Sequence, residues 1–180
     1  MLFDGEHMIY TTYLHSPLGK ILLAGEGDCL LGLWLEGQKY CGGKYQSMEQ
    51  GDQPVFIETA RWLKRYFAGC RPEPRELRLK PAGTEFQRLI WGLLLEVPYG
   101  RTTTYGALAK EAACRLGRAS MSAQAVGSAV GHNPISIIIP CHRVLGTDGA
   151  LTGYAGGIEK KQWLLTHEAA KGRPTPMVQI

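Results

Sequence analysis

The feature that most constrains the fold of this chain is an apolar run at residues 135–139, Ile-Ser-Ile-Ile-Ile, which ends at Pro140 and leads directly into Cys141 and His142. Because β-branched side chains are enriched in strands, the run predicts a buried strand that carries a cysteine at its end. A thiol attacks only as its thiolate, and a free cysteine is mostly protonated at neutral pH. A reactive Cys141 therefore needs a neighbouring group that removes its proton.

His142 is the adjacent candidate for that base. Neighbouring side chains of an extended strand point to opposite faces, so His142 needs a bend after Cys141 or a water molecule between the two groups. A base also needs a partner that orients it, for which Glu168 is the first candidate and His167 a poorer one. The alternative is purely structural, a buried cysteine beside a core histidine, because cysteine is among the most buried residue types.

Composition excludes several classes of protein. The chain has 180 residues, 44% of them hydrophobic and 20% charged, which suits one large or two small globular domains. No apolar run approaches the roughly 20 residues of a membrane span, and residues 1–7 lack the pattern of a signal peptide, so we expect a cytoplasmic protein. The five cysteines are widely spaced without a Cys-x-x-Cys pair, which predicts reduced thiols and neither a disulfide scaffold nor a metal site.

The net charge of +4 is distributed unevenly along the chain. Residues 1–80 hold ten basic and ten acidic side chains, whereas residues 81–180 hold ten basic and six acidic ones. A polyanionic partner is therefore expected at the second half.

Residues 1–80 predict a small α/β domain. Apolar and alternating segments indicate three strands, at residues 9–15, 20–24 and 29–35, and one helix, at residues 55–67. A further short strand is predicted at residues 76–79, inside a proline-rich linker. A Gly- and Gln-rich loop covers residues 36–54.

Residues 81–170 predict a mostly helical domain. Thr84 is a typical helix N-cap before the apolar stripe of Phe86, Leu89 and Ile90. Two shorter helices then resemble a helix-turn-helix with a long connection. The two helices are predicted at residues 105–113 and 122–130. A final helix is predicted at residues 158–170, followed by a flexible tail at residues 171–180.

Seven blocks of sequence, in order, resemble the 6-O-alkylguanine-DNA alkyltransferases (methylated-DNA–protein-cysteine methyltransferases). Six of them surround the cysteine block, namely Thr84-Glu85-Phe86-Gln87, Pro98-Tyr99-Gly100, Thr104-Tyr105-Gly106-Ala107-Leu108-Ala109, Ala125-Val126-Gly127, Thr152-Gly153-Tyr154-Ala155-Gly156-Gly157 and Trp163-Leu164-Leu165-Thr166-His167-Glu168. The seventh is Asn133-Pro134, six residues, then Cys141-His142-Arg143-Val144. The resemblance covers residues 84–168 and is only general before them.

The resemblance implies an α+β fold: an N-terminal domain with a small antiparallel, ribonuclease-H-like sheet, then a mostly helical domain with a winged helix-turn-helix. It implies a repair protein that binds double-stranded DNA, rotates out 6-O-alkylguanine or also 4-O-alkylthymine, and moves the alkyl group irreversibly to its own cysteine. Such a protein acts once, needs no cofactor and no metal, and is expected to be a monomer that meets DNA in the cytoplasm.

The resemblance also implies catalytic roles. Cys141 matches the alkyl acceptor, His142 the base that acts through water, and Glu168 the group that orients His142. Asn133 matches the residue that braces the turn before the cysteine. Tyr105 matches the hydroxyl that hydrogen-bonds the guanine as it leaves.

Further positions match the substrate pocket and the DNA-binding surface of the family. The pocket positions are Val144, Tyr154, Ala155, Gly156, Lys161 and Ser136. The DNA-binding positions are Thr104, Ser122, Ala123, Gln124, Ala125, Gly127, Ser128 and Arg143. The small residues among them suit a helix that approaches the minor groove closely, although a tightly packed small-residue helix would show the same pattern.

The chain departs from the family at two places. Gln124 stands where an arginine usually fills the space left by the rotated base, and the segment at residues 112–121 is longer than in many relatives. That segment carries Arg115 and Arg118, which suit phosphate contacts or simple solvation. The N-terminal zinc site of some relatives is not evident.

Three alternatives come from other classes of protein. A Cys-His hydrolase would need an oxyanion-stabilising motif, and none is visible. A regulatory module that uses the helix-turn-helix to bind DNA without chemistry would leave Cys141, His142 and Glu168 unexplained. A lesion-binding relative that transfers nothing would lack the cysteine, whereas Cys141 is present here. The glycine-rich stretch at residues 146–157 lacks the Lys-Ser/Thr ending of a phosphate-binding loop.

Overall fold

The computed structural model describes residues 8–170, so the predictions for residues 1–7 and 171–180 lie outside it. The first half contains a sheet in the order β1-β2-β3-β4 and one helix. Strands β1, β2 and β3 are antiparallel, whereas the short β4 pairs in parallel with β3. The elements are β1 (Tyr10–Ser16), β2 (Gly19–Glu26), β3 (Cys29–Leu35), α1 (Pro54–Phe67) and β4 (Arg78–Leu79).

Strands β2 and β3 are almost wholly buried because both faces of the sheet are covered. One face carries Ile21 and Leu33 into the main core, where α1 packs. The opposite face carries Leu22 and Trp34 into a smaller cluster closed by Tyr45. Burial on both faces removes the alternation that a half-exposed sheet would show.

The second half is mostly helical, as predicted. Its elements are α2 (Glu85–Leu95), β5 (Thr103–Thr104), α3 (Tyr105–Arg115), α4 (Ala123–Gly131), β6 (Val144–Leu145) and α5 (Ile158–Ala169). Thr84 caps α2 as expected: its hydroxyl accepts a hydrogen bond from the Gln87 amide, and the Gln87 side chain accepts one from the Thr84 amide. Helices α2, α3 and α4 pack on one another, and β5 pairs in parallel with β6.

The predicted strand at residues 135–139 is wrong. Residues 136–138 form a buried turn, and Ile135 makes only a single bridge to Leu33 of β3. Ile137 has a φ of 70°, which a strand residue does not adopt. Since the whole run is buried, its apolar character could not distinguish a strand from a packed turn.

The two halves share one hydrophobic core, and the turn at residues 136–138 lies at their junction. The Leu33 amide donates to the Pro134 carbonyl at 2.8 Å, and the Ser136 amide donates to the Leu33 carbonyl at 2.9 Å. The segment that leads to Cys141 is therefore fastened to the N-terminal sheet. Within residues 8–170, no helix combines the length and apolarity needed to cross a bilayer.

Candidate active site

Asn133 shapes the turn that precedes the cysteine. Its side-chain oxygen accepts from the Ile135 amide at 3.0 Å, and its amide group donates to the Ile139 carbonyl at 2.8 Å. The same amide group donates to Sγ of Cys141 at 3.1 Å. One buried side chain thus closes the turn and contacts the thiol.

Cys141 begins a short 3-10 turn, Cys141–Arg143, and is almost completely buried. Burial raises the pKa of its thiol, and this outweighs the hydrogen bond from Asn133 and the charge of Lys161, which both lower it. At neutral pH the resting group is therefore a protonated thiol.

His142 is fully buried, and the 3-10 turn directs its ring towards α5. Nε2 lies 2.7 Å from Oε1 of Glu168. Because an ionised carboxylate can only accept, Nε2 carries the proton and Nδ1 is left as a free base. Among residues 8–170, Nδ1 makes no hydrogen bond to a protein atom. Burial lowers the pKa of His142 despite the opposing effect of Glu168, so the ring is neutral.

The Glu168 carboxylate is the centre of a buried network. Oε1 accepts hydrogen bonds from Tyr66, His142 and Arg143, and Oε2 accepts from Arg143 and from the Gly100 amide. Burial alone would raise the pKa of Glu168, but the hydrogen bonds from His142 and Arg143 hold it well below its usual range. Glu168 is consequently ionised at neutral pH.

The predicted DNA contact of Arg143 does not agree with its position. Its guanidinium is buried and donates to both oxygens of Glu168, at 2.8 and 2.9 Å, and to the Val97 carbonyl at 2.6 Å. A buried carboxylate needs such a counter-charge. Arg143 therefore belongs to the interior network and does not face solvent.

A pocket of about 260 Å³ opens in front of Cys141. It is lined by Tyr105 of α3, Ser128 of α4, and Tyr154 and Ala155 of the loop before α5. The Tyr105 hydroxyl lies 3.4 Å from the carbonyls of Thr152 and Gly153, and burial followed by the nearby Cys141 raises its pKa. The pKa of Tyr154 is raised well above its usual value for the same two reasons, in that order.

Lys161 lies behind the pocket and shapes its loop. The fully buried ammonium donates to the carbonyls of Val144, Thr152 and Gly153, at 2.5, 3.0 and 3.2 Å. Burial lowers its pKa, partly offset by Cys141. Lys161 thus connects β6 to the loop that carries Tyr154.

Four of the predicted pocket residues do not line the cavity. Val144 and Lys161 lie behind its wall, and buried Ser136 donates to Oε1 of Gln38 at 2.9 Å. Gly156 supports the wall, because a Cβ there would lie 2.8 Å from the ring of Tyr154 and 3.2 Å from Leu35. These residues position the pocket and do not line it.

The predicted DNA-binding residues of α4 divide between the surface and the pocket. Ser122, Ala123, Gln124 and Ala125 are exposed, and Ser128 is exposed at the edge of the pocket that it lines. Gly127 faces the other way, since a Cβ added there would lie 3.8 Å from the ring of Tyr105. The helix can therefore present one face to a ligand and another to the pocket.

The structure also gives the positions of Thr104, Arg115 and Arg118, whose predicted contacts were with DNA. Thr104 caps α3 through a hydrogen bond from the Ala107 amide. Arg115 is held by ion pairs with Glu96 and Glu111 and is not simply solvated. Arg118 is exposed.

Five residues contribute to the site without any sequence motif to reveal them. Tyr66 lies in the apolar stripe of α1, where a tyrosine suggests only core packing. Gln38, Lys39 and Tyr40 lie in a loop whose path the sequence does not indicate, and they reach the pocket region. His132 also lines the pocket, and its place next to Asn133 is the one signal that could have identified it.

Comparison with known families agrees with this architecture. Residues 8–81 match the ribonuclease-like domain of the 6-O-methylguanine DNA methyltransferases, and residues 85–170 match the DNA-binding domain of the same proteins. The two matches follow each other along the chain with little sequence between them.

Individual relatives extend the match to almost the whole chain. A methylated-DNA–protein-cysteine methyltransferase of Methanosarcina barkeri is 45% identical over 161 residues, covering 89% of this chain and 97% of the relative. One of Haemophilus influenzae is 42% identical over 160 residues, covering 89% and 86%. The crystal structure of Mycobacterium tuberculosis OGT in complex with DNA superposes with a TM-score of 0.76 at 39% identity, covering 90% of this chain and 92% of that one.

A ribonuclease-like domain followed by a helical DNA-binding domain defines a methyltransferase of the DNA-repair class. At more than 40% identity over nearly nine-tenths of its length, the chain belongs to the methylated-DNA–protein-cysteine methyltransferase family.

Proposed function

We propose that this protein repairs 6-O-alkylguanine, and also 4-O-alkylthymine, by moving the alkyl group irreversibly to Cys141. The observation that carries the proposal is the position of the Cys141 thiol, buried at a pocket and next to a histidine whose free Nδ1 is fixed by Glu168.

The first step we propose is rotation of the damaged base out of the duplex. A base in the stack is out of reach, and extruding it costs a few kcal/mol. Helix α4 suits this step, because its exposed Ala123 and Ala125 permit close approach while Gly127 lies against the pocket. Gln124 is exposed on the same helix and is our candidate for the residue that fills the vacated space.

The transfer itself is a displacement at carbon. The sulfur of Cys141 attacks the alkyl carbon in line, from about 3–3.5 Å. The new S–C bond forms as the C–O bond breaks, and the electron pair of the C–O bond goes to the guanine oxygen. The thiol proton passes through a water molecule to Nδ1 of His142, and the Tyr105 hydroxyl neutralises the charge that develops on the leaving guanine. None of these proposed steps cleaves the new thioether bond, so each protein molecule acts once.

The resting protonation states support this order of events. The raised pKa of Cys141 keeps the thiol neutral until a substrate is present, and the lowered pKa of His142 keeps the ring able to accept a proton. A buried neutral thiol is also protected from oxidation, which requires an exposed thiolate.

We infer that residues 1–80 support the site, that residues 81–170 bind DNA and accept the alkyl group, and that the protein acts as a monomer in the cytoplasm. The N-terminal domain is nevertheless connected to the reaction through Tyr66 and Gln38.

Intact-mass measurement tests the proposal directly. The protein is mixed with a duplex that carries one 6-O-methylguanine, and we expect one added methyl group, located on Cys141 by peptide mapping. Cys141→Ala should gain none, whereas the matched variant Cys114→Ala, which removes an exposed thiol, should react normally. Binding of the duplex without any adduct would leave a non-catalytic lesion-recognition module as the better description.

A further inference from the structure

A loop from the N-terminal domain reaches the mouth of the pocket and is held there at several points. The Gln38 side chain accepts hydrogen bonds from the Leu35 amide at 3.0 Å and from the Ser136 hydroxyl at 2.9 Å. The Lys39 amide donates to the Ala155 carbonyl at 2.9 Å. These bonds fix the loop against both the turn that precedes Cys141 and the loop that carries Tyr154.

Tyr40, the next residue, is placed in an uncommon conformation. Its φ is 58°, in the left-handed region that residues other than glycine seldom occupy. The hydrogen bonds of Lys39 on one side and of the Cys41 amide to the Gln38 carbonyl on the other hold this conformation. Such local strain persists only when surrounding contacts determine it, and it concentrates at functional sites.

The ring of Tyr40 stacks on His132 at the end of α4. The ring centroids are 4.2 Å apart, the planes are inclined by 19°, and 63% of Tyr40 is exposed. The His132 ring is itself fixed, because Nδ1 lies 2.7 Å from the Ser128 carbonyl. The stack therefore joins the N-terminal domain to the helix that we propose to contact DNA.

Both rings line the same pocket as Cys141 and Tyr105. At about 260 Å³, the pocket is smaller than the roughly 300–1,000 Å³ that cavities for drug-sized ligands occupy. Such a volume accommodates a purine with a small alkyl group, whereas a bulky alkyl group would press against the side chains that line it. Among the aromatic rings that line the pocket, those of Tyr40 and His132 are exposed, whereas Tyr105 and Tyr154 are partly buried.

We propose that the Tyr40–His132 stack is the wall that sets which alkyl groups the protein accepts. With the stack closed, a methyl group fits and a benzyl group is disfavoured. Loss of the Tyr40 ring opens the pocket at this side and admits the larger group. This inference rests on the proposed alkyl transfer to Cys141 and adds the determinant of its specificity.

The test compares two substrates in the same variant, so that a general loss of folded protein cancels. Single-turnover rate constants are measured with duplexes that carry one 6-O-methylguanine or one 6-O-benzylguanine, and again with the free bases, where DNA binding plays no part. We expect Tyr40→Ala to raise the benzyl-to-methyl ratio by about tenfold or more, the scale on which pockets discriminate by size. His132→Ala should change the ratio in the same direction.

Two variants act as controls. Tyr40→Phe keeps the stacked ring and should keep the wild-type ratio, and Tyr13→Ala removes an exposed tyrosine of β1 that does not line the pocket. An unchanged ratio in Tyr40→Ala, or an equal change of both rate constants, would overturn the assignment of the wall. If the wild-type protein transfers no methyl group at all, the proposed function itself fails, which is a separate and recognisable result.

Discussion

The hydroxyl of Tyr66 in α1 donates a 2.7 Å hydrogen bond to Oε1 of Glu168 in α5. The two residues lie 102 positions apart in the chain and both are buried. The same Oε1 accepts from Nε2 of His142. The helix of the N-terminal domain thus contacts the carboxylate that orients the proposed base, so this domain does more than support the fold.

We therefore expect Tyr66→Phe to weaken both stability and reaction. Removing one hydrogen bond to a buried charged group should lower the free energy of unfolding by about 1.5–3 kcal/mol, measured by denaturant titration. The transfer rate should fall modestly, because His142 and Arg143 still hold Glu168. Tyr13→Phe, at an exposed tyrosine, is the matched control and should change neither quantity. Equal stability of Tyr66→Phe and wild type would contradict the importance of this bond.

Removal of the charge on Glu168 should have a much larger effect. In Glu168→Gln the buried Arg143 loses its counter-charge, which costs about 3–5 kcal/mol of stability. An amide can also donate to Nε2, so Nδ1 of His142 is no longer fixed as the base, and we expect at least ~100-fold slower transfer per folded molecule. Glu159→Gln changes an exposed carboxylate of the same helix and serves as the control. A variant that is folded and transfers at the normal rate would remove Glu168 from the mechanism.

The pH dependence should reflect a buried neutral histidine. Because burial lowers the pKa of His142, the ring remains a base below the ordinary histidine value of about 6.5. The transfer rate should thus stay level as pH falls through that value and decline only at lower pH. It should rise at alkaline pH, where the thiol of Cys141, with its raised pKa, begins to ionise. Single-turnover rates at saturating duplex give this profile, and a midpoint at or above 6.5 would argue against a buried neutral base.

The free energy of unfolding should also fall as the pH is lowered, because His142 is buried as a neutral ring. His142 is neutral in the folded state but takes up a proton when unfolded below about pH 6.5, so the free energy of unfolding falls as pH drops below that value. Glu168, whose pKa is depressed by folding, adds a further loss below about pH 4.3, where the unfolded carboxyl becomes protonated. Thermal melting across this range tests the sign of both effects.

Gln124 offers a test of DNA contact. Gln124→Arg places a positive charge on the exposed face of α4, and one additional phosphate contact should steepen the dependence of log affinity on log salt by about 0.9. We expect tighter binding of lesion duplex and faster transfer, because the rotated state is better held. Gln162→Arg, exposed on α5, adds the same charge elsewhere and should alter the salt dependence less. If affinity and rate in Gln124→Arg equal those of wild type, Gln124 does not occupy the proposed place.

Local signals in the chain predicted many elements correctly. Strand β3 has the predicted bounds, and the Thr84 cap with Glu85 and Gln87 begins α2 where expected. These succeed because capping and helical periodicity are interactions between residues close in sequence. The wrong strand at residues 135–139 shows the limit, since the turn there depends on the Asn133 side chain and on packing against β3.

Arg143 and Gln38 show the same limit within the site. From the sequence alone, an arginine at position 143 could be exposed to bind DNA or buried as the counter-charge of Glu168. Only its burial in the structure distinguishes the two roles. Gln38 lies in a polar loop and has no pattern at all, yet it bonds the turn before the cysteine.

The sequence by itself determined the family, the elements and the residues that can do chemistry, because spacing along the chain and residue type are local properties. Only the tertiary structure decided which way His142 and Arg143 face, that Tyr66 joins the Glu168 network, and that Tyr40 stacks on His132 at the pocket. Each of these contacts joins residues that are distant in sequence or depends on a turn set by distant contacts. The free energies of burial and hydrogen bonding that select them exist only once the two halves have packed together.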